Sequence, residues 1–329
     1  MKNKHSLIYG LFLSVTGFLA AAALNAAIPI TANVKIKDYE IAGITLDINS
    51  AYRIVLIILA VFFLIKGLID HKDQYRWKKY INAAPIRFAS GIALFVWDLL
   101  GTKLQLLPQP FFPGPAGIIE AFLMEGDFIV DNTLYSLRLY AAGFGLGAFF
   151  GIATGILIGW FPKVYYWVSP VLNVSGVIPA VAWMPFALTI LPTPFAAAVF
   201  LIVICVWFPV TSLTAQGVMS TPKVQFEAAR TLGSNTLDLV FRVAVPHAMP
   251  QIFTGISTAN AFAFTTLVMA EMMGQPGGLG YYINLSKVWS AYYKVFAAIV
   301  VMAVLFSLIT AILERIKKYA LRWQKGLVR

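Results

Sequence analysis

Side chains able to do chemistry are sparse in this chain of 329 residues, and their spacing excludes most reactions. His5, His71 and His247 are scattered, and the single Cys205 sits in an apolar stretch. No gathering of His, Cys and carboxylates has metal-site spacing, so no metal or other cofactor is expected. There is no Gly-x-x-x-x-Gly-Lys-Ser/Thr loop and no Gly-Lys pair. Any ATP that serves this chain must therefore be hydrolysed on another polypeptide. Two other features remain. Pro179 and Pro185 fall in one apolar segment, where each removes a backbone donor and breaks a helix. Freed carbonyls survive in a membrane only where protein or a water-filled path satisfies them, and transporters use that device at substrate sites. The stretch 176–185, with Gly176, Pro179, Trp183 and Pro185, is thus a candidate pathway lining; a kinked packing helix is the competing explanation. Glu271 ends another apolar segment, and an ionisable group there is a functional candidate, as a gate or partner contact. Arg138 is explained by snorkelling to the interface.

The elements that must position these residues follow from composition. Hydrophobic residues make up 60% and charged residues 12%, too few charges for the surface of a soluble domain of this length. The apolar residues come in blocks long enough to cross hydrocarbon as helices. Eight spans are read, at about 7–30, 52–70, 86–107, 131–160, 166–190, 194–217, 250–271 and 295–316. The first is longer than a signal-peptide core, which favours a retained helix. With the N-terminus inside, 18 of the 25 Lys and Arg residues are cytoplasmic. That bias places both termini in the cytoplasm. The net charge of +11 then faces anionic lipid rather than nucleic acid.

This topology leaves one long internal loop, 218–249. Thr221-Pro222 suits a helix start, Glu227, Ala228 and Ala229 continue it, Gly233 stops it, and Ser234-Asn235 caps a second helix. Pro246 is expected to end that second helix before the next span. Glu227-Ala228-Ala229, three residues, Gly233, nine residues, then Val243-Ala244-Val245-Pro246 resembles the EAA loop of ABC importer permeases. The resemblance implies coupling helices that dock on a separate ATPase. Glu227 would give a polar contact, Ala228 and Ala229 close approach, and Gly233 the bend. Two departures are that Val243 and Val245 stand where the family has Ile and Leu.

Three further stretches resemble the permeases for nitrate, taurine and aliphatic sulfonates. They are Phe112-Pro113-Gly114-Pro115, the run from Ile178-Pro179 through Trp183 to Pro185, and Ala270-Glu271-Met272 followed by Gly278-Leu279-Gly280. The sequence departs from that branch at Gly176, where members often carry Arg, and at Thr189 to Pro194. Arg is a natural clamp for sulfonate or carboxylate oxygens; its loss bears on whether the solute is an anion.

The resemblance implies an all-α polytopic membrane protein: a six-helix type I ABC importer permease core at 86–329, preceded at 1–85 by two extra N-terminal transmembrane helices and a basic linker. It implies a permease subunit of the bacterial inner membrane, not itself an enzyme. Its partners would be an ATPase, an extracytoplasmic solute-binding protein and, since the chain carries one EAA loop, a second copy of itself. The rivals are an ion-coupled secondary transporter, which needs ionisable groups at mid-membrane, and a membrane enzyme, which needs clustered acid–base groups. Gly143, Gly147, Gly151, Gly155 and Gly159, four residues apart, mark a close helix-packing face. A second copy is one partner to consider for it.

Overall fold

The computed structural model describes residues 4–30, 38–41 and 44–323. Among them seven helical segments are long and apolar enough to span a membrane. A bent pair, Pro162–Val177 with Ala180–Ile190, turns through 100° and makes an eighth. These correspond one for one with the apolar blocks of the sequence, and the all-α expectation holds. One small exception is an antiparallel hairpin, β1 (Asp38–Ile41) with β2 (Ile44–Asp47), between the first two spans.

The chain divides into two compact units. The first comprises residues 1–126 and 286–297. It holds α1 (Lys4–Ala27), α2 (Ile48–Asp70), the short α3 (Gln74–Asn82) and α4 (Ala84–Asp98), which runs into a π turn over Leu99–Lys103. Asp47 caps α2 by accepting from the Asn49 N–H at 2.6 Å, and Asp73 caps α3 through Tyr75 and Arg76. Phe18, Ala21 and Ala22 of α1 bury against Tyr52, Leu56 and Ala60 of α2. The approach of α1 to α4 is so close that a Cβ on Gly17 would lie 2.6 Å from the Phe88 carbonyl. Where the C-terminal ends of α1 and α4 meet, Asn25, Asp98 and Lys103 are all buried. The Asn25 amide donates to Asp98 at 2.6 Å and to Asn49 at 3.0 Å, while Lys103 Nζ donates to the Asn25 carbonyl at 2.8 Å.

The second unit comprises residues 127–285 and 298–329. It contains most of α5 (Pro115–Trp160), whose one non-helical residue, Glu125, lies at the boundary of the units. Then come α6 (Pro162–Val177), α7 (Met184–Ile190), α8 (Pro194–Met219), α9 (Lys223–Thr231), α10 (Thr236–Asp238), α11 (Val245–Met272), α12 (Leu279–Val288) and α13 (Tyr292–Ala320), the last two shared across the boundary. Leu139 and Tyr140 of α5, Leu201, Ile202 and Val206 of α8, and Ala259, Ala263 and Leu267 of α11 form the core. The buried Asn260 ties three helices, accepting from the Tyr140 hydroxyl at 2.6 Å and donating to Thr310 at 2.9 Å. The glycine face of α5 is filled within the chain. Cβ atoms on Gly147, Gly151 and Gly159 would meet Val206, Val210 and Val218 of α8 at 2.7–2.8 Å. Packing explains the stripe, and α8 rather than a second copy supplies the partner.

Candidate functional site

Helix α9 opens after Pro222 and ends as the local sequence dictates. Gly233 adopts φ +82°, which a Cβ would strain, and two bonds close the helix: Gly233 N–H to the Arg230 carbonyl and Ser234 N–H to the Ala229 carbonyl. Asn235 then starts the next helix with a reciprocal capping box, its side chain accepting from Asp238 N–H at 2.9 Å. The expected stop at Pro246 does not occur. Residues Leu239–Ala244 form a π turn that leads directly into α11, and Thr236–Met272 is one continuous helical segment. The Val245 N–H reaches back five residues to Val240. This widened turn makes room for the ring of Pro246, whose missing N–H falls in the first turn of α11.

The hairpin is anchored on one side and bare on the other. Phe226 packs edge-on against Trp160, ring centroids 5.5 Å apart, and Val240 and Ala244 are buried. Glu227 and Ala228 are exposed and Ala229 is half-buried. Around them stand four bare apolar side chains: Val224, Leu237 and Phe241, with Leu232 86% exposed at the tip. The sequence pointed to Glu227, Ala228 and Ala229 but not to these four. On an amphipathic surface helix a Leu or Phe reads as membrane-facing, and only the fold shows which apolar side chains lack cover.

The broken span divides differently from a helix interrupted twice. α6 ends at Val177, and Ile178 and Pro179 are extended, as the residue before a proline prefers. A 3-10 turn over Ala180–Trp183 follows, and Pro185 begins α7, where its missing donor costs nothing. Pro179 therefore marks the break and Pro185 the restart. Trp183 packs on the core, and its indole N–H is enclosed with no acceptor. Gly176 faces the edge of the Phe208 ring, which occupies the space that a side chain there would need. The departing stretch after α7 has a local role: Thr193 caps α8, accepting from Ala196 N–H at 3.1 Å, with Pro194 in its first turn.

Glu271 is enclosed rather than open to a channel, with 1% of its surface exposed. Its Oε2 accepts from the Gly280 N–H at 2.8 Å, in the first turn of α12. Asn132 and Ser136 of α5 accept from the N–H groups of Gly278 and Leu279, both at 2.9 Å. Gln275 accepts from Tyr135 and donates to the Pro194 carbonyl at 2.6 Å. The corner from α11 to α12 is thereby tied to α5 and α8. Asn132, Ser136 and Gln275 carried no sequence signal, because polar residues near span ends are ordinary.

Comparison with known proteins agrees with this architecture. Residues 147–323 match the family described as the binding-protein-dependent transport system inner membrane component. A putative aliphatic sulfonates transport permease of Bacillus subtilis is 27% identical over 258 residues, covering 78% of this chain and 91% of that protein. The nitrate import permease of Leptolyngbya laminosa is 32% identical over 239 residues, 68% of this chain and 81% of its own. The bicarbonate transport system permease of Synechococcus elongatus is 30% identical over 249 residues, 75% and 84%. Among solved structures, an inward-facing form of the MetNI methionine ABC transporter superposes with TM-score 0.51 and 21% identity, covering 60% of this chain and 97% of that one, a likeness of fold. With the family match spanning more than half of the sequence, the chain belongs to the inner-membrane components of binding-protein-dependent transport systems, as an ABC importer permease of the nitrate and sulfonate type.

Proposed function

We propose that the hairpin from α9 to the π turn is where a separate ATPase drives this permease. Glu227, Ala228 and Ala229 would form the docking face, with Gly233 setting the bend and Pro246 at the head of the driven helix. The observation that carries this reading is a bare, partly apolar surface on an element continuous with α11. A groove on the ATPase would cover Leu232, Leu237 and Phe241. The helical segment from Thr236 to Met272 is unbroken, so displacement of its end at the hairpin would pass along it across the membrane. Alternating access then follows as the helices rock around a central path. The break at 176–185, with Gly176, Pro179, Trp183 and Pro185, would line that path, and Glu271 would hold the corner that closes its outer end.

Two copies are proposed, because each chain offers one hairpin and an ATPase pair needs two. Both termini face the cytoplasm of a bacterial inner membrane, following the distribution of Lys and Arg. Residues 1–85 would be an accessory helix pair and 86–329 the permease domain. The solute is a small organic or anionic compound delivered by an extracytoplasmic binding protein. The names of three relatives support this, since aliphatic sulfonates, nitrate and bicarbonate are all small oxyanions. With glycine at 176 and Phe208 filling the space, such an anion would not meet an arginine clamp there.

The test is co-purification of the ATPase with the wild-type permease and with Glu227→Lys and Gly233→Pro. Recovery with wild type and loss with both variants, at unchanged permease level in the membrane, is expected. ATPase recovery undiminished in both variants would overturn the docking assignment, and solute uptake by the permease alone would overturn the importer reading.

A further inference from the structure

Helices α3 and α4 run through Ala83 as one helical segment, Gln74–Lys103. One side of it, with Trp77, Tyr80, Ala84 and Gly91, is buried, and the segment packs on α1 and α2. The opposite side is uncovered: Lys78, Asn82, Pro85, Ala89, Ala93 and Val96 recur there every three or four residues. Along α4 this side is an apolar groove of about 690 Å³. Around the helix Ala89 and Ala93 fall between Phe88 and Trp97, so two small side chains form a floor between two large ones. Trp97 is held in place, its indole N–H donating to the Pro113 carbonyl at 3.0 Å and its ring meeting Phe296 at a centroid distance of 6.0 Å. From Phe88 to Leu100 the groove runs about 18 Å at 1.5 Å per residue, roughly one leaflet of a hydrocarbon layer about 30 Å thick. Below it the same side turns cationic. Asp73 caps α3 and pairs with Arg76 at 3.9 Å, but Lys78 and Lys79 are exposed and make no ion pair or hydrogen bond among the described residues. They precede Pro85 by about 10 Å along the helix axis, at the depth of a headgroup layer.

We propose that this face binds one phospholipid with an anionic headgroup. An acyl chain lies between Phe88 and Trp97 over Ala89 and Ala93, and the headgroup meets Lys78 and Lys79, with the Asn82 amide as a neutral donor. A zwitterionic lipid fills the groove equally well but brings no net counter-charge to the two lysines. A second copy fits the charges worse still: a twofold axis along the membrane normal would set the two Lys78 side chains of a pair against each other. The site belongs to the N-terminal unit and stands apart from the docking role of the hairpin.

The test is native mass spectrometry of the full-length chain, stripped of lipid in detergent and titrated with palmitoyl-oleoyl phosphatidylglycerol or with phosphatidylcholine of the same acyl chains. One phosphatidylglycerol per chain is expected to bind at least about tenfold more tightly than phosphatidylcholine, the effect of two lysines beside an anionic headgroup. The double variant Lys78→Gln, Lys79→Gln alters only exposed side chains and is expected to lose that preference while still binding both lipids. Ala93→Trp fills the floor of the groove and is expected to weaken both lipids with the lysines in place. Equal affinity of the wild-type chain for the two lipids, or a preference that survives in the double variant, would overturn the proposal. Undiminished phosphatidylglycerol binding by Ala93→Trp would reduce the site to surface charge and overturn the groove. Wild-type dimers that retain no lipid, and that Ala93→Trp separates, would assign the face to a second copy instead.

Discussion

Gly278 and Gly280 are set by their approach to Glu271. Gly278 lies at φ +109°, and a Cβ on Gly280 would come 2.5 Å from the Val268 carbonyl and 2.7 Å from the Glu271 Cβ. The sequence motif that joins Ala270-Glu271-Met272 to Gly278-Leu279-Gly280 is thus one physical unit, a carboxylate closed onto a helix start. Glu271→Ala leaves the buried Gly280 N–H without its acceptor, a loss of about 1–3 kcal/mol. Glu271→Gln keeps an acceptor oxygen and is expected to melt above Glu271→Ala in detergent. The reverse order would show that the hydrogen bond to Gly280 does not hold this corner. Gly176 offers a second residue-level test. Gly176→Arg must displace the Phe208 ring and is expected to lower the yield of monodisperse protein, with Phe208→Ala restoring it. Failure of that rescue would show that the position is closed for another reason. The glycine was visible in the sequence as a departure from the family, but the ring that fills its space lies 32 positions away and was not.

At the scale of elements, the α9–α10 turn and the α5–α8 contact are governed by different uses of glycine. Gly233 is needed for its backbone angle alone, since nothing lies within 4 Å of a Cβ there. Gly233→Ala is expected to cost roughly 1 kcal/mol of local stability, and Gly233→Asn less, because asparagine tolerates positive φ. Amide exchange of α9 measures the difference; equal protection in both variants would refute the assignment. Gly147 and Gly151 are needed for space. Gly147→Val or Gly151→Val would overpack the face against α8 and cost about 1–3 kcal/mol each. Gly145→Val serves as the control, since Gly145 has open space around it. Equal thermal shifts for all three would show that the stripe does not hold the helices together. The four-residue spacing was legible because small residues on one helix face have a packing consequence wherever they occur. Which helix fills the face was not, because spacing along one helix carries no information about its neighbour. Pro246 failed as a stop signal for a related reason: a π turn absorbs a proline, and nothing local in the sequence announces one.

For the whole molecule, the first 85 residues read as an addition to a permease core, yet their helix α1 reaches into the polar centre formed with α4. Asn25 is bonded to Asp98 and, through its carbonyl, to Lys103, with Asp98 and Lys103 buried at 0% and 2% exposure. Removing one partner of a buried charged network costs about 3–5 kcal/mol. Deletion of residues 1–85, or Asp98→Ala alone, is therefore expected to lower the melting temperature of the purified permease. A deletion variant as stable as the full chain would make the N-terminal pair a true appendage. The number and order of spans, the break near Pro179 and the spacing of the hairpin were fixed by local rules: twenty apolar residues cross a bilayer, proline removes a donor, and glycine admits positive φ. Only the tertiary structure decided which faces stay uncovered, that Glu271 is spent on α12, and that the second half of the hairpin and α11 form one continuous helical segment. Burial and continuity depend on residues far apart in the chain meeting in space, and no window of sequence contains both sides of such a contact.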